Sequence, residues 1–370
     1  MDSRDRRRTD DGYCLSLQKI MKIGLYSPYL DSFGGGERYT LTLASHWSKT
    51  YDVFVFWDNF YILDEAQRRL DVDLSRVKVT QNIFRERNVF KKLLLTRQYD
   101  LIFVLSDGSI PSTLAKHNIL HYQVPFPSVE YSAIKLSRYQ AVVCNSEFTK
   151  RFLDERVSRN ATVIYPPVHS IGESDKKKEQ LILSVGRFTG FHTAKKQHVL
   201  IETFAQGMKD KKLNGWKLIL AGGLLSTDKD YLEKLKEMAK ELPIIIKPNI
   251  SYDQLVDYYR RASIYWHAAG YGETDPRWME HFGITTVEAM SAGAVPVVYA
   301  GGGQTEIVED GKNGFLWDDP KELVKKTGAL VDDMKRREEF QKAAIKRAQD
   351  FREDKFCTAF NRLLEHIAAI

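Results

Sequence analysis

The sequence predicts an α/β protein built as two doubly wound parallel-sheet domains facing a cleft. Three observations carry this. At 370 residues the chain is too long for one typical core. Short apolar runs alternate with segments of helical spacing, the pattern of parallel sheets covered on both faces. The alternation breaks once, at Val163-Ile164-Tyr165-Pro166-Pro167-Val168, where two prolines fix an extended course and a polar stretch, Glu173 to Gln180, follows.

Taken in order, Lys22 to Tyr26 (KIGLY) is a buried strand. Ser32 to Gly36 is a flexible loop, and Glu37 to Lys49 places Tyr39, Leu41, Leu43, Ala44 and Trp47 at helical spacing. Asp52 to Trp57 (DVFVFW) is the next strand, and Val77-Val79, Leu101-Leu105, Ile119-Tyr122 and Ala141-Cys144 continue the series. Beyond the proline link a second series begins. It runs through strand Leu181-Val185, a helix from about His198 to Met208, strand Lys217-Ala221 and a charged helix from about Asp230 to Glu241. Strand Ile244-Ile246, a helix from Tyr252 to Arg261, strand Ile264-His267, a short helix at Glu288 and strand Val295-Tyr299 complete it. The expected divisions are a tail over 1–20, a first domain over 21–168, a second over 169–350 and a closing segment over 351–370. Ligands of such sheets lie beyond the carboxyl ends of the strands.

Composition narrows the function. An apolar content of 43% with 28% charged residues is that of an ordinary globular protein. There is no apolar run long enough for a transmembrane helix. A net charge of +6 suits anionic ligands, an anionic membrane surface or a merely solvated exterior. No basic stripe with interleaved aromatics points to nucleic acid. Cys14, Cys144 and Cys357 are odd in number and far apart, which indicates neither a disulfide framework nor a zinc site. A reducing cytoplasm is the simplest compartment. The first twenty residues lack the apolar core of a secretion signal and read as a disordered tail, with Met21 as an alternative start.

Four segments carry chemistry. Gly34-Gly35-Gly36-Glu37-Arg38 follows the first strand and precedes a helix, where glycines allow close backbone approach and the helix start favours a phosphate. Gly34 and Gly36 also supply half of a dinucleotide fingerprint, but Tyr39 stands where its third glycine belongs. A loop with no ligand is the plain alternative. Ser184-Val185-Gly186-Arg187-Phe188 ends a strand, and Lys195-Lys196-Gln197 follows it. Arg187 and a nearby lysine can grip a diphosphate, although cations on a loop are often simply solvated.

The third segment is the most informative. Met279 to Val298 holds Glu280 and Glu288 on either side of Phe282-Gly283-Ile284-Thr285. One acid sits in a loop and the other just inside a helix, whose first N–H groups can face an anion. Glu288 lies among apolar neighbours and needs a partner, such as ribose hydroxyls, and Glu280 can bind a sugar hydroxyl. The fourth, Gly301-Gly302-Gly303-Gln304-Thr305-Glu306, again places glycines at a strand-to-helix turn, consistent with close approach to a ligand. Asp71-Val72-Asp73 is a DxD string, an acidic pair of the kind that can hold a metal, but it lies away from these segments and reads as coincidence.

Together SVGRF…KKQ, EHFGITTVEAMSAGAVPVV and GGGQTEIVEDGKNGFLW resemble the retaining glycosyltransferases of family 4 (group 1), which have the GT-B fold of two Rossmann-like domains. GGGER, Cys144-Asn145-Ser146-Glu147-Phe148-Thr149 and Tyr165-Pro166-Pro167-Val168 extend the resemblance from about Lys22 to the C-terminus. The resemblance implies an acceptor-side first domain, a donor-binding second domain and a closing helix packed back on the first. It implies a nucleotide-sugar donor, GDP- or UDP-linked, as substrate, with no cofactor and no metal. Arg187 and Lys196 would hold its diphosphate, with Lys195 an adjacent candidate, Glu288 the ribose, and Glu280 and His121 would stand near the sugar. Gly35, Gly36, Gly186, Phe282, Gly283, Ile284 and Thr285 would complete the donor site. His281 stands where relatives often have glycine, and Tyr271 to Met279 is longer and more charged than usual, so substrates do not transfer directly.

The reaction so implied moves a hexose, with mannose a candidate, to a glycan or lipid-linked hydroxyl. Another GT-B enzyme, such as a nucleotide-sugar epimerase or a phosphorylase, and a non-catalytic sugar-nucleotide binder are the rival readings. Arg85, Arg87, Phe90, Lys91 and Lys92 form a cluster suited to peripheral contact with the cytoplasmic membrane face or to a solvated helix face.

Overall fold

A computed structural model describes residues 20–172, 177–190 and 195–369. The expected tail, apart from Ile20, lies outside them, as do Cys14 and positions 173–176 of the polar link.

The first sheet has seven parallel strands: β1 (Lys22–Tyr26), β2 (Asp52–Phe56), β3 (Lys78–Thr80), β4 (Leu101–Leu105), β5 (His117–Tyr122), β6 (Ala141–Cys144) and β7 (Ala161–Val163). Their order is β3-β2-β1-β4-β5-β6-β7. The second has six: β8 (Glu179–Val185), β9 (Lys217–Gly222), β10 (Ile244–Pro248), β11 (Ala262–His267), β12 (Val295–Tyr299) and β13 (Phe315–Trp317). Their order is β10-β9-β8-β11-β12-β13, also all parallel. In both sheets the order reverses beside the first strand, which opens a crevice at the strand ends. This is the doubly wound pair that the alternation predicts. Every residue of β4 and β11 is buried, because helices cover both faces.

The helices of the first domain are α1 (Gly35–Ser48), α2 (Ile62–Leu70), α3 (Val89–Thr96), α4 (Ala133–Leu136), α5 (Glu147–Phe152) and α6 (Glu155–Ser158). Those of the second are α7 (Gln197–Lys209), α8 (Lys229–Met238), α9 (Tyr252–Arg261), α10 (Ile284–Ser291), α11 (Gln304–Ile307), α12 (Pro320–Asp332) and α13 (Met334–Ala348), followed by α14 (Glu353–Ala368).

Several boundaries differ from the sequence expectation by one to three residues, and two of the differences have a clear local cause. The first helix starts at Gly35, not Glu37. The Glu37 carboxylate reaches back to accept the Gly34 N–H at 2.8 Å and the Ser32 hydroxyl at 2.7 Å, so the glycines form the first turn. Helix α8 ends at Met238, and Glu241, expected inside it, takes a left-handed φ of 64°.

The chain crosses between domains twice. At the crossing Val168 donates its N–H to Phe351 O at 3.0 Å and bridges Arg352. Helix α14 then buries Phe356, Phe360, Leu364 and Ile367 in the first domain's core beside Tyr39 and Trp47. The carboxyl ends of β1 and β8 are left facing each other across a cleft.

Candidate functional site

The cleft has a volume of about 460 Å³ and takes wall from both domains. From the first come Gly34, Gly35 and Arg38 at the start of α1, and Asn145 after β6. Opposite stand Gly186 and Arg187 after β8, Lys195, and the segment from Glu280 to Thr285 with Glu288. The two walls approach closely: a Cβ on Gly35 would meet Ile284 Cδ1 at 3.2 Å.

Glu280 lies in the loop between β11 and α10, four residues before the helix starts at Ile284. Its Oε2 lies 2.7 Å from Lys195 Nζ and 3.0 Å from His267 Nε2. Burial pushes its carboxyl up, but Lys195 and His267 outweigh that and hold it well below the usual carboxylate range. Lys195 reaches this position because residue 186 is glycine; a Cβ there would sit 2.5 Å from Lys195 Cγ. Buried Gln197 fixes the same turn, donating its amide to Gly186 O at 3.2 Å and Arg187 O at 3.1 Å. Arg187 is left exposed on the wall.

Helix α10 starts after Gly283, whose φ of 124° excludes side chains; a Cβ would also meet Gln304 Nε2 at 2.7 Å. The first N–H groups of α10, at Ile284 and Thr285, have no intrahelical partner and belong to cleft-lining residues. The hydroxyl of Tyr265 sits 2.8 Å from Thr285 Oγ1. One turn on, Glu288 is 6% exposed and accepts the hydroxyl of buried Tyr259 at 2.9 Å. Burial raises its pKa, with Arg38 across the cleft pulling the other way. The arrangement offers an anion two cations and a helix start, beside two carboxylates for hydroxyl groups.

Of the residues singled out in the sequence, Gly35, Gly186, Arg187, Lys195, Glu280, Phe282, Gly283, Ile284, Thr285 and Glu288 meet in this cleft. Three others are placed elsewhere. Lys196 has a left-handed φ of 54° and pairs with Glu273 at 2.6 Å, so the cleft-facing lysine is Lys195. Gly36 faces the interior of the first domain, with Gln123 Oε1 3.1 Å from where its Cβ would be. His121 is fully buried and stacked on Tyr39 at 4.0 Å, with Nδ1 3.2 Å from Val143 O. Burial lowers its pKa to about 3, so it is a neutral core residue and not a wall of the cleft.

The Gly301-Gly302-Gly303 turn makes close contacts of its own. Two of its glycines pack closely on the Glu280 loop: a Cβ on Gly302 would meet Glu280 O at 2.0 Å, and one on Gly303 would meet His281 O at 2.5 Å. The DxD string is unremarkable, with Asp71 closing α2 and Asp73 accepting the Ser75 N–H at 3.0 Å.

Sequence reasoning missed His267, Gln304, Tyr259 and Arg38. A histidine ending the otherwise apolar ASIYWH strand was a readable signal for the first. Arg38 stands in the first glycine segment, where local pattern shows no role for it. Gln304 stands within the fourth glycine segment, but its partner is 37 residues away, and Tyr259, whose partner is 29 residues away, gave no local signal.

Comparison with known proteins finds matches along most of the chain. Residues 170–347 match the family model for glycosyl transferases group 1, and residues 33–170 match that for glycosyltransferase family 4. Over 222 residues the chain is 29% identical to a Dictyostelium discoideum GDP-Man:Man(3)GlcNAc(2)-PP-Dol alpha-1,2-mannosyltransferase, covering 55% of this chain and 42% of that protein. The Xenopus laevis protein of the same description is 31% identical over 198 residues, 48% of this chain and 38% of its own length. The aligned part thus spans about two fifths of these relatives. Among solved structures, Anabaena Alr3699/HepE in complex with UDP superposes with a TM-score of 0.70 at 20% identity, over 94% of this chain and 100% of that one. A glycosyltransferase from Rickettsia africae does so with 0.73 at 17%, over 95% and 99%. At such identities these two likenesses speak to the fold alone.

Proposed function

Because this chain belongs to the group 1 glycosyltransferases of family 4, with the GT-B fold, we propose that it moves a hexose from a nucleoside-diphosphate sugar to a hydroxyl of a glycan or lipid-linked acceptor. The observation that carries the reading is the shared wall of Arg187, Lys195 and the start of α10, set beside Glu280 and Glu288. Breaking the anomeric bond builds negative charge on the leaving diphosphate. Arg187, Lys195 and the N–H groups of Ile284 and Thr285 stabilise that charge as it develops. They supply the positive charge that a divalent cation supplies elsewhere, and the proposed transfer is metal-independent. Glu288 accepts hydrogen bonds from ribose hydroxyls. Glu280 orients the sugar and holds Lys195. The transfer retains configuration by a front-face route, in which the leaving phosphate takes the acceptor proton and no enzyme nucleophile forms. Mannose from a GDP-linked donor is the first choice, supported by what the partial relatives are named for.

The acceptor side supports a lipid-linked substrate and peripheral contact with the cytoplasmic membrane face. Exposed Val89, Phe90 and Leu94 on α3 stand beside Arg87, Lys91 and Lys92. Phe60 and Tyr61 are exposed on the neighbouring loop, which Arg85 joins through Asp58 at 2.8 Å. No helix among the described residues is long and apolar enough to cross a membrane.

The deciding experiment is a thermal-shift screen of GDP, UDP and ADP sugars, followed by product analysis with and without a lipid-linked oligosaccharide and with EDTA. A GDP-sugar shift, an α-linked product and EDTA-resistant turnover are expected. Conversion without acceptor would mean an epimerase. Binding without turnover would mean a non-catalytic protein.

A further inference from the structure

Helix α11 is only four residues long, yet it touches the first domain with one end and the Glu280 loop with the other. At its far end the Glu306 carboxylate crosses to the first domain. Oε2 accepts the Glu147 N–H at 2.8 Å and Oε1 accepts the Phe148 N–H at 2.6 Å, partners 159 and 158 residues away. Helix α5 already has its own cap, since Ser146 Oγ accepts the Thr149 N–H. Tyr165, in the link between domains, has its hydroxyl close enough to the same carboxylate to influence its pKa. From behind, Arg347 holds the carbonyls of Glu306 and Ile307.

At its near end Gly303 donates its N–H to Glu280 O at 2.8 Å. The Gln304 amide lies 3.3 Å from His267 Nδ1, and His267 Nε2 lies 3.0 Å from Glu280 Oε2. The glycines leave no slack, because any Cβ at 302 or 303 would overlap the backbone of Glu280 to Phe282. The start of this one-turn element therefore holds the Glu280 main chain directly, while the Glu280 carboxylate meets it only by way of His267 on β11. The other end of that element is fixed to the domain opposite. Asn145, two residues before Glu147, is itself cleft wall.

We propose that Glu306 is a positioning residue: it fastens the first domain to the Glu280 loop, so that docking of the two domains sets where the Glu280 carboxylate and its Lys195 partner stand. A carboxylate that accepts two main-chain N–H groups fixes both distance and direction. A shift of α5 against the second domain is delivered to Glu280 through close packing, with no flexible segment between. The inference deepens the transferase reading of the same cleft, but only its kinetic arm rests on that reading.

The test compares wild type, Glu306→Ala and Glu306→Gln by amide hydrogen exchange and by steady-state kinetics. Glu306→Ala should speed exchange about tenfold at residues 147–152 and also at the remote 278–283 segment. Its kcat should fall at least tenfold, with donor KM within about threefold. Glu306→Gln keeps one acceptor oxygen and should lie between. Faster exchange at 147–152 alone, or at neither segment, overturns the proposal, as does an unchanged kcat. If the alanine variant does not fold, the glutamine variant decides by the same criteria. If the wild type turns over no donor, the transferase reading fails, while the exchange result still decides the linkage.

Discussion

Lys195 Nζ sits 2.7 Å from Glu280 Oε2, joining two residues 85 positions apart, while the adjacent Lys196 turns to Glu273. The pair places Lys195 in the cleft wall, whereas Lys196 makes a separate ion pair.

Lys195→Ala should therefore lower kcat about a hundredfold, the scale of losing one group that stabilises developing charge. Lys196→Ala should stay within several-fold. Steady-state kinetics on both variants checks this, and a larger loss in Lys196→Ala would reverse the assignment.

Glu288→Ala should weaken binding of the donor nucleotide by about 10- to 100-fold, as expected when charge-assisted hydrogen bonds are lost. Burial raises the Glu288 pKa above its ordinary value, against the pull of Arg38. The ionised form is the one that accepts from hydroxyls, so affinity should rise with pH through this raised pKa. The same shift favours folding below the ordinary value, and that contribution fades as pH rises. Calorimetric titration of wild type and Glu288→Gln across pH 4 to 8 should show the slope in the first and a flat line in the second.

Glu280 has the opposite sign. Its folded pKa lies below the ordinary value of 4.5, so the stability it contributes is present above that value and is lost as pH falls through the folded pKa. Urea unfolding between pH 5.5 and 3 should fall more steeply in wild type than in Glu280→Gln. Parallel curves would mean that the ion pair is not felt.

His121 should matter for stability and little for turnover. Its pKa drops from 6.5 to about 3 on burial, so folding loses up to about 1.4 kcal/mol per pH unit as pH falls below 6.5. His121→Leu should remove that slope, while kcat at neutral pH stays within several-fold. A loss of kcat by orders of magnitude without loss of stability would return His121 to the chemistry.

Gly303→Ala should destabilise by about 1–3 kcal/mol, the cost of overpacking a tight contact. The new Cβ would lie 2.5 Å from both His281 O and Phe282 Cα. A melting curve indistinguishable from wild type would show that the turn can yield.

Most of the fold was readable locally. Continuous apolar runs marked β1, β2, β4, β8 and β11, because a strand covered on both faces has no solvent side to alternate with. The glycine turns were also visible, but not what each one faces. Gly35 faces Ile284 across the cleft, whereas Gly302 and Gly303 face the backbone of the Glu280 loop. A missing Cβ announces a close approach and leaves the approaching group unnamed.

The sequence by itself determined two doubly wound domains, a cleft at their strand ends, and the segments that line it. Those properties follow from hydrophobic period and turn chemistry, which are written along the chain. Only the tertiary structure decided which of two adjacent lysines meets Glu280, that His121 belongs to the core, and that Glu306 spans the domains. Each of these depends on a left-handed residue, a stacking partner or a hydrogen bond made across the fold, between positions up to 159 residues apart. Local pattern holds no record of such distances, because they are set by how the two sheets are packed against one another.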